Sequence, residues 1–319
     1  MTIQYIPPFS RAWKRMEMIL FKPFNLGKWF ALGFTAFLAE LLRTGRGGNF
    51  QFRFSKGDLD WDEFFELPWR IIEWLSQHPI WTAVIIVGLA IAIVLFVVLA
   101  WLSSRGMFMF LDNVVHNRSL IVKPWGEFKA IGDSLFLWRL VFSIISFIIS
   151  MGFMVIAFFV ARNIYLSGYG FVSYLMLILA GLFIGLLLFL VIGYISMFLN
   201  NFIVPIMYKG GLMANDAWQT FLMLFGRHVF HFILYGFFIF GLYILVVIGI
   251  VICGLITCCC GFILLMIPYI GSVLMLPVSV TFRALSLEFL EQFGDEYKIF
   301  PTGTVDSVFT TDGNMNPVV

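Results

Sequence analysis

Apolar and polar residues along this chain fall into long blocks, with little short-range alternation. The block from Val229 to Phe282 contains no Asp, Glu, Lys or Arg. As a helix it would run for about 80 Å, against a hydrocarbon core of roughly 30 Å. The pattern predicts two membrane passes, folded back on each other as a hairpin. Three further uncharged runs, Ile80 to Leu102, Leu140 to Ala161 and Tyr174 to Phe198, are each long enough for one pass. A shorter run, residues 27–42, carries Glu40 near its end and reads either as a sixth span or as a helix at the interface. The expected fold is an all-α integral membrane bundle of about six transmembrane helices arranged as three hairpins.

The polar segment 43–79 has two parts. Arg43 to Asn49 is a glycine-rich turn. Asp60 to Gln77 then places Trp61, Phe64, Phe65, Pro68, Ile72 and Leu75 at helical spacing, which predicts an amphipathic helix that Pro68 is expected to interrupt. Residues 301–319 are polar, show no periodic apolar face, and are expected to form a disordered tail. The remainder, 1–300, reads as a single membrane domain.

Composition sharpens the class. With 61% hydrophobic and 12% charged residues and a mean hydropathy of +0.98, the chain lies far from soluble domains, in which about a quarter of residues are charged. A net charge of +2 without any Lys/Arg block gives no reason to expect nucleic acid as a partner. Charge placement also predicts orientation. With six spans, Arg43, Arg46, Arg53, Lys56, Arg70 and Arg162 fall on one side and the rest of the twenty Lys and Arg on the other. The positive-inside rule then puts both termini in the cytoplasm and segment 43–79 outside, in an inner or plasma membrane.

A threefold repetition accompanies the expected hairpins. Trp13 leads through Met16 and Leu20-Phe21 into the first run, Trp125 through Phe128 and Leu135-Phe136 into the third, and Trp218 through Phe221 and Leu224-Phe225 into the fifth. Each copy reads as an amphipathic interfacial helix feeding a two-span hairpin, in units of about 9–110, 111–208 and 209–300. Such copies would share one orientation and be related by an axis along the membrane normal. Interfacial Trp is common in membrane proteins in any case, so the three also read simply as interfacial anchors.

The stretches Trp13 to Phe24, Phe202 to Tyr208 and Ile267 to Pro277 resemble a family of uncharacterised prokaryotic membrane proteins. That family is similar in layout to the membrane domain fused to some glycerophosphodiester phosphodiesterases. The resemblance implies a fold, and it brings no catalytic residue with it.

Candidate chemistry is sparse. Cys258, Cys259 and Cys260 at the expected turn lack the separated pairs of a zinc site and read as small apolar filling. Glu40 either pairs with Arg43, one turn away, or marks an ion or proton site. His228 and His231 share a helical face where the fifth run begins. Asn200, Asn201 and Pro205 are the best candidates for broken helix geometry, and with Pro268 and Pro277 they would line a central cavity or mark ordinary packing kinks. Gly181, Gly185 and Gly193 form a small-residue stripe expected to seat a close helix contact. With no nucleophile set, metal motif or inward carboxylate pair, the expected protein is non-enzymatic and needs no cofactor. It would be a scaffold or accessory subunit whose partners are membrane lipids, another membrane protein or further copies of itself. The alternative is a transporter or channel for an apolar or zwitterionic solute, through a cavity at the repeat interface.

Overall fold

The structure, a computed structural model, describes residues 3–41, 61–168, 170–257 and 260–301. Arg43, the glycine-rich turn, Cys258, Cys259 and the tail lie outside them. Within the described residues every regular element is helical. The first are α1 (Ile6–Phe21), α2 (Leu26–Glu40), α3 (Trp61–Gln77), α4 (Pro79–Val115), α5 (Val122–Glu127) and α6 (Lys129–Leu166). Then come α7 (Phe171–Phe198), a π-helical turn (Leu199–Ile203), α8 (Val204–Gly210), α9 (Ala214–Ile256), α10 (Cys260–Met266), α11 (Pro268–Leu274) and α12 (Leu276–Glu291).

Four stretches are long and apolar enough to cross a membrane: α4, α6, α7 continuing into α8, and α9. The other two expected spans take different forms. Residues 27–42 give α2, whose 15 residues reach only about 22 Å. The return leg after α9 is broken into α10, α11 and α12, with a 61° bend between the last two. Proline is the physical reason, because Pro268 and Pro277 stand in the opening positions of α11 and α12, where a missing N–H is tolerated. Read as one bent span, α11 and α12 would be a fifth crossing.

The chain divides into two compact units. The first comprises residues 1–43, 101–139 and 193–319. Val280, Ala284, Leu285, Leu287, Phe289 and Leu290 are at most 1% exposed, so α12 is enclosed on every side. Ala12, Met16, Ile19 and Leu20 form the buried face of α1, which docks on α12. The open C-terminal carbonyls of α1 are satisfied by its successor: Lys28 Nζ donates to Ile19 O at 2.6 Å and Trp29 Nε1 to Leu20 O at 2.8 Å. Asn25 caps the start of α2 by accepting from the Lys28 backbone N–H.

Aromatic rings fill the centre of this unit. Phe202 lies parallel to Phe221 at 5.6 Å and against Tyr235 at 5.0 Å, and Tyr243 stacks on Phe282 at 4.5 Å, where the chain has folded back along α9. At Gly106 a methyl group would sit 2.6 Å from Leu38 Cβ and 2.8 Å from Ala39 N. Glycine there lets α4 press against the backbone of α2.

The second unit comprises residues 44–100 and 140–192. Pro68 does not interrupt α3, which runs unbroken from Trp61 to Gln77. It rests on α6 through Phe65, whose ring lies 5.7 Å from Phe158 and 5.2 Å from Tyr165, while Arg162 sits over Trp69 at 5.1 Å. The apolar side chains of this unit mostly face outward. Ile85, Val94, Ile148, Leu182 and Phe189 are all about half exposed or more, as lipid-facing residues must be. The glycine stripe has no tight seat: a methyl at Gly181 or Gly193 would meet nothing within 4 Å, and one at Gly185 would make ordinary contact with Phe153.

Candidate functional site

Polar groups in the first unit collect where α4 and α8 end. Asp112 and Asn113 are both at most 1% exposed. Beyond them α4 stops because Asn117 turns left-handed, with φ 52°, and the Arg118 N–H closes back on Asn113 O. Asn113 holds the next stretch of chain at two points: its Nδ2 donates to Leu120 O, and its Oδ1 accepts from the Leu120 N–H, both at 2.9 Å.

That turn aims Arg118 back onto Asp112. Nη2 of Arg118 lies 2.7 Å from both carboxylate oxygens and Nε lies 3.0 Å from Oδ2. The hydrogen bonds to Asp112 push the guanidinium above its already high pKa. From α8, Tyr208 donates to Asp112 Oδ1 at 2.9 Å, and His116 Nδ1 lies 3.1 Å from the same oxygen. A carboxylate this buried would be costly alone, and three neighbours from two chain segments compensate it.

A cleft of about 510 Å³ opens over this cluster. Its lining adds Lys123, Glu127, Phe128, Lys209, Lys298, Ile299 and Pro301. Lys209 Nζ donates to Lys298 O at 2.5 Å and Asp295 O at 3.2 Å, so among the described residues its charge meets backbone carbonyls and no carboxylate. Lys298 reaches Glu291 at 3.3 Å. Beside this cleft lies a smaller one of about 220 Å³, bounded by Arg15, Met18, Val114 and Phe300.

Two more buried charges tie helices together. Glu288 of α12, its side chain 2% exposed, accepts from Arg15 Nε at 2.5 Å and Arg11 Nε at 2.6 Å. One turn apart on α1, the two arginines reach it together. Arg105 of α4 holds Asp133 of α6 with both carboxylate oxygens within 3.0 Å of Nη2, and its guanidinium lies over Trp101 at 4.2 Å.

The family match covers residues 5–298, from just before α1 to the cleft lining. The chain belongs to the family of unknown function DUF7544. No curated protein and no solved structure matches it. In this DUF7544 chain, then, the functional reading rests on the residues themselves.

The expected site residues do not gather in one place. Asn200 and Asn201 lie in the π-helical turn, and Pro205 starts α8. The turn has a local cause. Val204 N–H bonds Leu199 O, five residues back, and Pro205 has no N–H, so Asn200 O is left without a backbone donor. Arg283 of α12 supplies one, with Nη1 2.7 Å from Asn200 O. Pro268 and Pro277 begin helices, and their carbonyls accept from Ser272 and Thr281 of the following turns. Glu40 accepts from Ser279 Oγ at 2.9 Å. None of these residues lines either cleft described above.

The three tryptophans sit in different local structures. Trp13 is half exposed on α1, 6.4 Å from Phe9. Trp125, in the six-residue α5, meets Trp101 edge-on at 5.7 Å. Trp218 stacks on Trp138 at 5.0 Å, inside the first part of α9, which kinks at His228. His228 and His231 lie 6.0 Å apart, and His228 packs on Phe293. The cleft around Asp112 was missed from sequence, although Asp112, Asn113, His116 and Arg118 follow one apolar run within a few residues. That crowding of polar groups was the available signal.

Proposed function

We propose that this chain is a non-enzymatic membrane scaffold or accessory subunit of the inner or plasma membrane, with both termini and the Asp112 cleft on the cytoplasmic side. One observation carries the reading: the buried charges Asp112, Glu288, Arg105 and Arg283 each link separate helices or chain segments of the first unit. Polar groups used in this way fix a rigid assembly. The second unit supports the same reading, since its outward apolar faces suit lipid or another membrane protein. In this reading α1, α5 and the start of α9 serve as the interfacial elements of the repeat, α3 is the amphipathic helix of the outer segment, and the six-span count holds with α2 and the broken α10 to α12 leg as shallow or bent passes. The resemblance in layout expected from the sequence, to the phosphodiesterase-fused membrane domain, implies no activity for it.

Transport draws less support, because the carbonyl opened by Pro205 already has Arg283 as its donor. The test is solute flux in proteoliposomes. Glycine betaine and similar zwitterions are expected to leak no faster than from protein-free vesicles. Saturable flux, abolished by Asn200→Leu, would overturn the scaffold reading in favour of a channel or carrier.

A further inference from the structure

The cleft over Asp112 has features that a scaffold does not require. It is larger than a few water molecules need and falls within the range of small-ligand pockets, roughly 300–1,000 Å³. Its charges are unequally matched. Arg118 is committed to Asp112 and Lys298 to Glu291. Lys209 holds only carbonyl oxygens, and Lys123 makes no ion pair among the described residues. Glu127 is the one lining carboxylate besides Asp112. Two ammonium groups, the exposed His116 ring and the Tyr208 hydroxyl therefore face one space.

We propose that this cleft binds a small, water-borne anion bearing a phosphate group. Phosphate suits the site because two ammonium groups reach it from separate segments, Lys123 from α5 and Lys209 from α8, with the His116 ring at the end of α4 beside them. A doubly charged tetrahedral anion balances both ammonium charges and presents acceptor oxygens in several directions, whereas a carboxylate carries one charge and two coplanar oxygens. The 510 Å³ volume leaves room for a small organic group beside the phosphate, against the Phe128 ring.

Distance separates a dissolved ligand from a lipid headgroup. The uncharged run of α4 ends at Leu102, and Asp112 lies ten residues further along the same helix, about 15 Å at the helical rise. The interfacial layer on each side of the hydrocarbon is only about 5–8 Å deep. A lipid phosphate would have to leave the bilayer to reach this cleft.

The test uses the full chain in dodecyl maltoside micelles, which contain no phosphate, with calorimetric titration of inorganic phosphate and of acetate at matched ionic strength. Saturable binding of phosphate and none of acetate is expected. Lys123→Gln and Lys209→Gln should each weaken it by about tenfold, the cost of losing one charge-assisted hydrogen bond. Lys123 is exposed and makes no ion pair among the described residues, so its variant should melt like the parent without phosphate, which separates lost binding from lost folding. Equal binding by parent and Lys123→Gln would overturn the proposal. So would binding confined to micelles doped with phosphatidic acid, which would make the ligand a lipid. Neither failure touches the scaffold reading, which is tested by flux.

Discussion

Helix α4 belongs to both units and changes character partway along. From Ile80 to Val98 its side chains are largely exposed, and from Ser103 to Val115 they are buried. The first part carries no charge, while the second contains Arg105 and Asp112, each held by a named partner. The difference shows where each kind of stability comes from. In the second unit the apolar surface is turned outward, and helix formation follows from the need to satisfy the backbone within lipid. In the first, side chains interlock and charges are enclosed, so single substitutions should be felt strongly.

The sharpest way to break that contrast is to remove a buried charge from the first unit. In Glu288→Ala, Arg11 and Arg15 lose their shared acceptor. Arg15 stays mostly enclosed and Arg11 is about a third exposed. The expected loss is about 3–5 kcal/mol, read as a shift in unfolding by sodium dodecyl sulfate in mixed micelles. Gly106→Val comes next, at about 3 kcal/mol, since its Cβ meets the backbone of Leu38 and Ala39 and cannot be relieved by rotating a side chain. A Cβ at Gly88, in the outward part of α4, meets nothing within 4 Å, and Gly88→Val should leave unfolding unchanged. If the two glycine variants behaved alike, the division into two units would lose its physical meaning. Tyr208→Phe should cost less, about 1.5 kcal/mol, because Asp112 keeps Arg118 when the phenol is gone.

The same contrast explains what could be read in advance. The long uncharged runs were legible because hydropathy is additive along a helix, and α4, α6, α7 and α9 follow them closely. The amphipathic spacing of 60–77 also has its helix in α3. By contrast, α12 was not legible. Arg283 and Glu288 look like a chain leaving the membrane, and only tertiary packing shows that Asn200 O and the α1 arginines await them. The turn at Pro205 could be anticipated from the missing N–H. The donor that answers it comes from eighty residues later, and no local pattern carries that information. The Asp112 cleft was hidden for the same reason, since its lining comes from four separate segments.

The smallest expected effect sharpens the comparison from the other side. Arg70 on α3 bonds Glu63 at 3.0 Å and Glu66 at 3.1 Å, a geometry as good as that of Arg105 with Asp133. All three side chains are more than half exposed. Water competes for each of them, dissolved salt screens the attraction, and the long side chains lose freedom when they pair. Arg70→Ala should therefore leave the unfolding midpoint in dodecyl sulfate where it was, at low and at high salt. The docking of α3 should persist as well, because Phe65 meets Phe158 and Tyr165 without it. Protection of the α3 amides from hydrogen exchange would check this directly. A loss as large as that of Glu288→Ala would mean that burial is not what separates strong charges from weak ones in this chain.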